Sequence, residues 1–242
     1  MHILVISDIH ANIVALEAVL ADAAKVDATW CLGDLVGYGP NPNECVSRIR
    51  NLPNIVCLIG NHDAASIDLI DTFTFNDEAR QAIFWTQQNL TQTNKDYLKT
   101  LPSAKEIDAF TLVHGSPRHP VWEYLLDTYT ATINFRHFDS SFCLVGHSHI
   151  PVIYQLLDGS TSADLHIPQP NQITHLTPRS ILNPGSVGQP RDRDPRAAYA
   201  LLDPDELTWE IHRVPYDIKE VQARMKQANM PGRHILRLES GW

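Results

Sequence analysis

The chain opens on a short apolar run, His2–Ile6, then a polar turn, Ser7-Asp8-Ile9-His10, then Ala11–Ala24, where Ile13, Leu16, Val19 and Leu20 recur at helical spacing. The order repeats. Thr29–Leu32 reads as a strand closing on Gly33-Asp34, Pro40–Pro42 breaks the chain, and Asn43–Arg50 reads as a helix. Ile55–Ile59 is a third strand, closing on Gly60-Asn61-His62-Asp63. This alternation predicts a parallel sheet with helices packed on it. Positions 64–102 are polar and helix-prone, an expected helical insertion over one end of the sheet. Ala109–Val113 and Phe142–Val145 are further strands, closing on His114-Gly115 and Gly146-His147-Ser148-His149. Val152–Leu156, Asp164–Ile167, Ile173–Leu176, Ser180–Leu182, Ala197–Leu202 and Leu207–Arg213 follow closely and predict a second, more antiparallel sheet. A helix over Asp217–Gln227 and a tail over Pro231–Trp242 complete the pattern, with helix and tail spanning about 216–242.

A chain of 242 residues with no internal repeat suits one domain, 1–242, with a single large core. At 43% hydrophobic and 19% charged it is too apolar for a disordered chain. The net charge of -9 leaves no basic face, so a nucleic-acid polymer is not the expected partner. A small phosphorylated substrate is not excluded, because bound metal ions reverse a local field. No apolar run is long enough to span a bilayer, and Met1–Ser7 has neither a basic segment nor a small-residue cleavage site. Cys31, Cys45, Cys57 and Cys143 lack zinc-finger spacing and are expected to be reduced thiols of a cytoplasmic protein. Nothing in the sequence speaks to oligomeric state.

Histidine, with 12 residues, is the anomalous count. Asp8/His10, Asp34, Asn61/His62, His114 and His147/His149 each follow an expected strand, and sites in open α/β sheets form beyond the carboxyl ends of strands. Pooled, Asp8, His10, Asp34, Asn61, His114, His147 and His149 offer two carboxylates, four imidazoles and an amide oxygen. Such a mixed N/O set suits Mn, Fe, Zn or Ni and exceeds what one ion takes from protein. Two ions sharing a bridging carboxylate would use it, holding a hydroxide for in-line attack on phosphorus. His62 is left over, able to protonate a leaving oxygen.

These blocks resemble the five-part signature of the calcineurin-like metallophosphoesterase superfamily, and Asn183-Pro184-Gly185-Ser186-Val187-Gly188 is similar to a further segment of its small bacterial and archaeal branch, which includes YfcE-like phosphodiesterases. The resemblance implies two mixed β-sheets packed as a sandwich with helices on the outer faces. It implies two transition-metal ions, with Mn favoured. Asp8, His10 and His149 would hold the first ion, Asn61, His114 and His147 the second, Asp34 would bridge them, and His62 would be the catalytic imidazole. The implied activity is hydrolysis of phosphodiester or nucleoside polyphosphate bonds of small molecules. The alternatives are a phosphoprotein phosphatase and a non-catalytic scaffold of the same fold. The phosphatase relatives carry Gly-Asp-x-x-Asp-Arg-Gly, whereas Gly37 and Tyr38 stand here at the second aspartate and the arginine, which leaves open what orients His62.

Singly, these residues have plainer readings. Asp8 could be a helix N-cap, Asp34 and Asn61 turn residues, and His114 a core histidine. His2, His119, His137, His166, His175, His212 and His234 share no context and are expected to be surface or structural. Arg191, with Arg193 and Arg196, is a weaker candidate for substrate phosphate, against pairing with Asp192 and Asp194. Arg118, Glu123 and Tyr124 are weaker candidates for the cleft wall. Phe73, Phe75, Phe84 and Trp85 read either as a base-stacking lid or as the core of the insertion.

Overall fold

The computed structural model describes residues 1–23 and 25–242; Ala24, the last residue of the expected first helix, lies outside them. In chain order the elements are β1 (Ile3–Ile6), α1 (Ile13–Asp22), β2 (Ala28–Cys31), α2 (Pro42–Arg50) and β3 (Ile55–Cys57). The helical stretch holds α3 (Asn61–Ser66), a 3-10 turn at Thr72–Thr74, α4 (Asp77–Asn89) and α5 (Gln92–Lys99). Then come β4 (Ala104–Ile107), β5 (Phe110–Val113), α6 (Thr128–Asn134), β6 (Phe142–Leu144), β7 (Val152–Gln155), β8 (Asp164–His166), β9 (Ile173–His175) and β10 (Ser180–Asn183). Last are β11 (Ala197–Asp203), β12 (Thr208–Val214), α7 (Ile218–Gln227) and α8 (Gly232–Ser240).

The strands form two six-stranded mixed sheets, β3-β2-β1-β11-β12-β9 and β4-β5-β6-β10-β7-β8. Alternate residues of facing strands interdigitate between them: Ile3, Val5, Trp30 and Trp209 from the first sheet, Phe110, Leu112, Phe142 and Leu182 from the second. The opposite faces carry helices. Leu4 and Ile6 pack with Leu16, Val19, Val46 and Leu98 of α1, α2 and α5, and Val113, Cys143 and Ile181 pack with Ala131 and Phe135 beside them. The sandwich with outer helices is therefore as expected. Both faces of β1 are covered, which is why it reads as one unbroken apolar run.

The expected division into an early parallel sheet and a late antiparallel one does not hold. β11 pairs antiparallel with β1, Ile3 opposite Leu202, and β12 and β9 follow it into the first sheet. β5 and β6 instead belong to the second sheet, where they pair in parallel. Hydrophobic pattern reports that a strand is buried, not which neighbour it pairs with. β4 and α6 were not expected; β4 is an exposed polar edge, and α6 has little more than two buried positions, Ala131 and Asn134. The helix-cap reading of Asp8 also falls, since Asn12 caps α1 by accepting from the Ala15 amide.

The expected tail is the helix α8. His234, Ile235 and Leu238 bury one side of it against Val221 and Met225 of α7, and Gly241, at φ +64°, closes it with its amide on the Arg237 carbonyl. His234 is 2% exposed, neither ring nitrogen has a hydrogen-bond partner among the described residues, and its ring lies 4.6 Å from that of Tyr38. Burial holds its imidazole down at about 4, against an ordinary 6.5. The unfolded chain therefore binds the extra proton between these values, and stability present above pH 6.5 is lost as pH falls towards 4. His234→Phe should lose less melting temperature between pH 7 and 4.5 than the wild type, by a few degrees at the scale of about 1 kcal/mol. Parallel acid melts of the two proteins would expose a mistaken attribution.

Candidate metal centre

Each candidate ligand stands on the turn that leaves a strand: Asp8 and His10 after β1, Asp34 after β2, Asn61 and His62 at the start of α3 after β3, His114 after β5, and His147 and His149 after β6. All eight side chains are buried. Asp8, His10, Asp34, His147 and His149 have φ of 55°, 48°, 55°, 65° and 61°, the left-handed region. Asp and His tolerate it better than most residues, but each such turn is strained by roughly 1 kcal/mol or more. Neighbouring segments hold the turns. A Cβ on Gly60 would meet Asp34 Oδ1 at 2.1 Å and its backbone nitrogen at 2.3 Å, so only glycine lets β3 approach Asp34 this closely. The loop after β10 clamps two turns at once. Ser186 Oγ and the Gly188 amide donate to the Asp8 carbonyl, while Asn183 Nδ2 donates to the Gly146 carbonyl and Ser148 Oγ.

Three imidazoles are aimed by backbone carbonyls at their Nδ1: His10 by Val36, His114 by Leu32 and His149 by Gln189. If Nδ1 carries the proton in each, Nε2 is left as a lone pair facing inward. His147 differs, with Nε2 rather than Nδ1 on a backbone carbonyl, that of Trp122, and a ring nitrogen grouped with Asp34 and His114. The inward atoms then face one another. His10 and His149 Nε2 stand 3.0 Å apart, with Asp8 Oδ1 3.3 Å from His149. His114 Nε2 lies 3.1 Å from Asn61 Oδ1 and 3.4 Å from Asp34 Oδ2, which is also 3.6 Å from His10 Nε2. Among the described residues, no donor meets buried Asp8 Oδ1 or Asp34 Oδ2 in good hydrogen-bond geometry; the imidazoles of His149 and His114 stand nearby at 3.3 and 3.4 Å. Two nitrogens bound at right angles to one ion, each about 2.1 Å away, would sit about 3.0 Å apart. Asp8/His10/His149 and Asp34/His114/His147 thus fit a cation each, with Asp34 also grouped with His10 and His62.

The same proximity sets the proton affinities. Burial pushes Asp8 and Asp34 up, but His149 beside the first and His114 beside the second outweigh it and hold both carboxylates charged. Burial opposes a charged His114, yet Asp34 raises it to about 9. Burial takes His147 down to about 3 and His62 to about 4.

Asp63 does not orient His62. Its two oxygens accept from the Gly60 and Val36 amides, both at 3.0 Å, and so fasten the two turns together. Burial, then repulsion from Asp34, lifts it to about 7. The His62 amide donates to Asp34 Oδ1 at 2.8 Å, and its ring is wedged between Tyr38, His10 and Phe75, at 4.4, 4.9 and 5.1 Å. Aromatic packing stands where the phosphatase relatives' pattern has a carboxylate. A Cβ on Gly37 would come 2.5 Å from His62 Nδ1, and φ there is +87°. Gly37→Ala should destabilise the fold by about 1–3 kcal/mol and displace the imidazole. Urea melts alongside kcat check this; a variant of wild-type stability and rate would sink it.

The weaker candidates separate. Arg118 pairs with Glu123, whose Oε2 also takes Ser116 Oγ at 2.6 Å and Asn134 Nδ2 at 2.8 Å. Arg196 pairs with Asp194, and Asp192 with Arg213 rather than with a neighbour in its own loop. Arg191 lies over the Tyr38 ring, 5.9 Å from its centre, and Tyr124 stacks on His147 at 3.7 Å. The four aromatics of the insertion do not form one lid. Phe75 packs against His62 and Trp122, Phe73 is 82% exposed, Phe84 is half exposed, and Trp85 packs on the α7–α8 cluster. Sequence reasoning missed Trp122, whose carbonyl holds His147, and Arg237, carried in by α8. The apolar spacing of Ile235 and Leu238 was the available sign for α8.

The calcineurin-like phosphoesterase superfamily domain matches residues 1–207. The chain is 38% identical to an uncharacterized protein of Methanocaldococcus jannaschii over 95% of its own length and 93% of the relative's. It superposes on the crystal structure of a metallophosphoesterase from Sphaerobacter thermophilus with TM-score 0.92 and 47% identity, covering 100% of this chain and 99% of that one. A hypothetical protein of Pyrococcus horikoshii shares the fold, with TM-score 0.83 at 23% identity over 100% and 98% of the two chains.

Proposed function

The chain belongs to the calcineurin-like phosphoesterase superfamily, and from that premise we propose that it is a dinuclear, metal-dependent hydrolase of phosphodiester or nucleoside polyphosphate bonds in small molecules. The observation that carries this reading is the pair of buried carboxylate oxygens without a well-placed donor among the described residues, Asp8 Oδ1 and Asp34 Oδ2, each facing imidazole nitrogens. Burying unpaired anionic oxygens is costly unless a cation meets them. Asp8, His10 and His149 would hold one ion, Asn61, His114 and His147 the other, and Asp34 both. The N/O donors suit Mn, Fe, Zn or Ni, and Mn is the reading we favour. Bound there, two such ions supply an activated water as nucleophile and offset charge on the phosphoryl oxygens.

The remaining steps belong to side chains. Asp34 fixes the spacing of the two halves. His62, locked by its aromatic neighbours, would pass a proton from its imidazolium form to the leaving oxygen and be left neutral; burial opposes that charged form and the Asp34 carboxylate favours it. Arg191 presents a guanidinium fork to the non-bridging oxygens. Gly37 tells against a phosphoprotein phosphatase, since the aspartate of that pattern has no room beside His62. Among the described residues no helix is long and apolar enough to cross a membrane.

The test is hydrolysis of bis(p-nitrophenyl) phosphate by the protein with Mn²⁺, beside a phosphoserine peptide. Turnover of the diester that a chelator removes and Mn²⁺ restores is the expected result. A protein holding two ions per chain that splits the peptide but not the diester would overturn the substrate assignment.

A further inference from the structure

We infer that Arg191 and Arg237, joined through Gln189, form a second anion subsite beside the metal-ligand cluster, built for a second phosphate on the substrate. The inference rests on the phosphoesterase reading and sharpens it, since it selects diphosphates and polyphosphates over single phosphate esters.

Gln189 Oε1 accepts from Arg191 Nη2 at 3.2 Å and from Arg237 Nη1 at 3.3 Å, so two cations meet at one neutral oxygen. Arg118, Arg196, Arg213 and Arg224 each have a carboxylate partner. Among the described residues, Arg191 and Arg237 have none within 4.0 Å. Arg191 Nε is buried and has no hydrogen-bond partner among the described residues. Burial, and secondarily Arg191, pushes Arg237 below the ordinary guanidinium value, while burial at Arg191 is outweighed by Tyr38 and Tyr124, which hold it firmly charged. An anion seated between two such guanidinium groups would offset their repulsion, and guanidinium forks match phosphate oxygens in shape.

The pair is fixed relative to the candidate metal centre. The carbonyl of Gln189 accepts from His149 Nδ1, and the Arg191 amide donates to the His149 carbonyl at 3.3 Å. The Arg191 guanidinium lies over Tyr38, whose ring is 4.7 Å from His10 and 4.4 Å from His62. Arg237 also donates from Nε to the Trp242 carbonyl, which leaves its Nη2 uncommitted among the described residues. A phosphate under attack would already have His62, Arg191 and whatever ions the ligand cluster holds. A second guanidinium at the same oxygen of Gln189 adds a charge that one ester phosphate does not need and an adjoining phosphate does.

Calorimetric titration tests this with two probes, AMP and the α,β-methylene analogue of ADP, which differ by one phosphate and resist exchange between the two. The protein is metal-loaded and dialysed free of excess ion. Wild type should bind the diphosphate at least about 10-fold tighter than AMP. Arg237→Gln should bring that ratio near one, and Arg237→Lys, which keeps the charge but not the fork, should fall between. Equal affinities in the wild type would overturn the subsite. So would equal weakening of both ligands by Arg237→Gln, which would mean a clamp on a single phosphate. Should Arg237→Gln melt α8, the ratio in Arg237→Lys decides. Diester turnover in the wild type is measured separately: its absence with the diphosphate preference intact would sink the phosphoesterase reading alone, and the reverse result would sink the subsite alone.

Discussion

Asp34→Asn should leave the protein folded, strip it of bound metal and lower diester turnover by about 10³-fold or more, the scale on which a single charge-stabilising group is felt in an active site. Asparagine is nearly isosteric, so the contact that Gly60 makes with Asp34 survives the change. The hydrogen bond from the His62 amide to Oδ1 survives too if the amide oxygen takes that place. The amide nitrogen must then replace Oδ2, the buried oxygen without a well-placed donor among the described residues, which lies 3.4 Å from His114 Nε2 and 3.6 Å from His10 Nε2. A hydrogen-bond donor would stand where a shared anionic ligand is needed, and both halves of the centre lose it together. Metal analysis of the purified variant is the direct check. A protein that keeps two ions and its activity would show that Asp34 joins nothing.

His62→Ala should behave differently: kcat falls by about 10²–10⁴, the usual worth of a positioned general acid, while metal content stays near that of the wild type. His62 Nδ1 is buried and unpartnered, and its ring is fixed by Tyr38 and Phe75 rather than by a carboxylate. The truncation therefore opens a hole among rings while leaving Asp8/His10/His149 and Asp34/His114/His147 in place. Added imidazole should enter that hole and restore part of the rate. Loss of metal along with activity would make His62 a ligand instead, as its grouping with His10 and Asp34 would allow.

The candidate site was legible because its chemistry is concentrated at strand ends. Asp8, Asp34, His114 and His147 each follow an apolar run, and a strand end is a position that local pattern reports well. The support beneath the site was not legible. That Gln189 aims His149 through a carbonyl, or that Trp122 does the same for His147, depends on loops whose sequence has no period. Asp63 was adjacent to His62 in sequence but faces two backbone amides, because the first turn of α3 rotates neighbouring side chains apart. The sheet partition was lost for a related reason. β1 and β11 are both plainly buried strands, yet nothing local in either announces that Ile3 lies opposite Leu202.

The position of β1 between β2 and β11 has a consequence for how the chain is made. β11 begins about 190 residues after β1 ends. At roughly 5–20 residues per second, a ribosome needs about ten to forty seconds to cover that distance. For that interval one edge of Ile3–Ile6, a run buried on both faces in the finished protein, has no partner. Unpaired apolar edges are where nascent chains stick to one another. The yield of folded protein in a cell should therefore respond to translation speed and to factors that shield emerging chains, and raising the stability of the finished fold should not replace either.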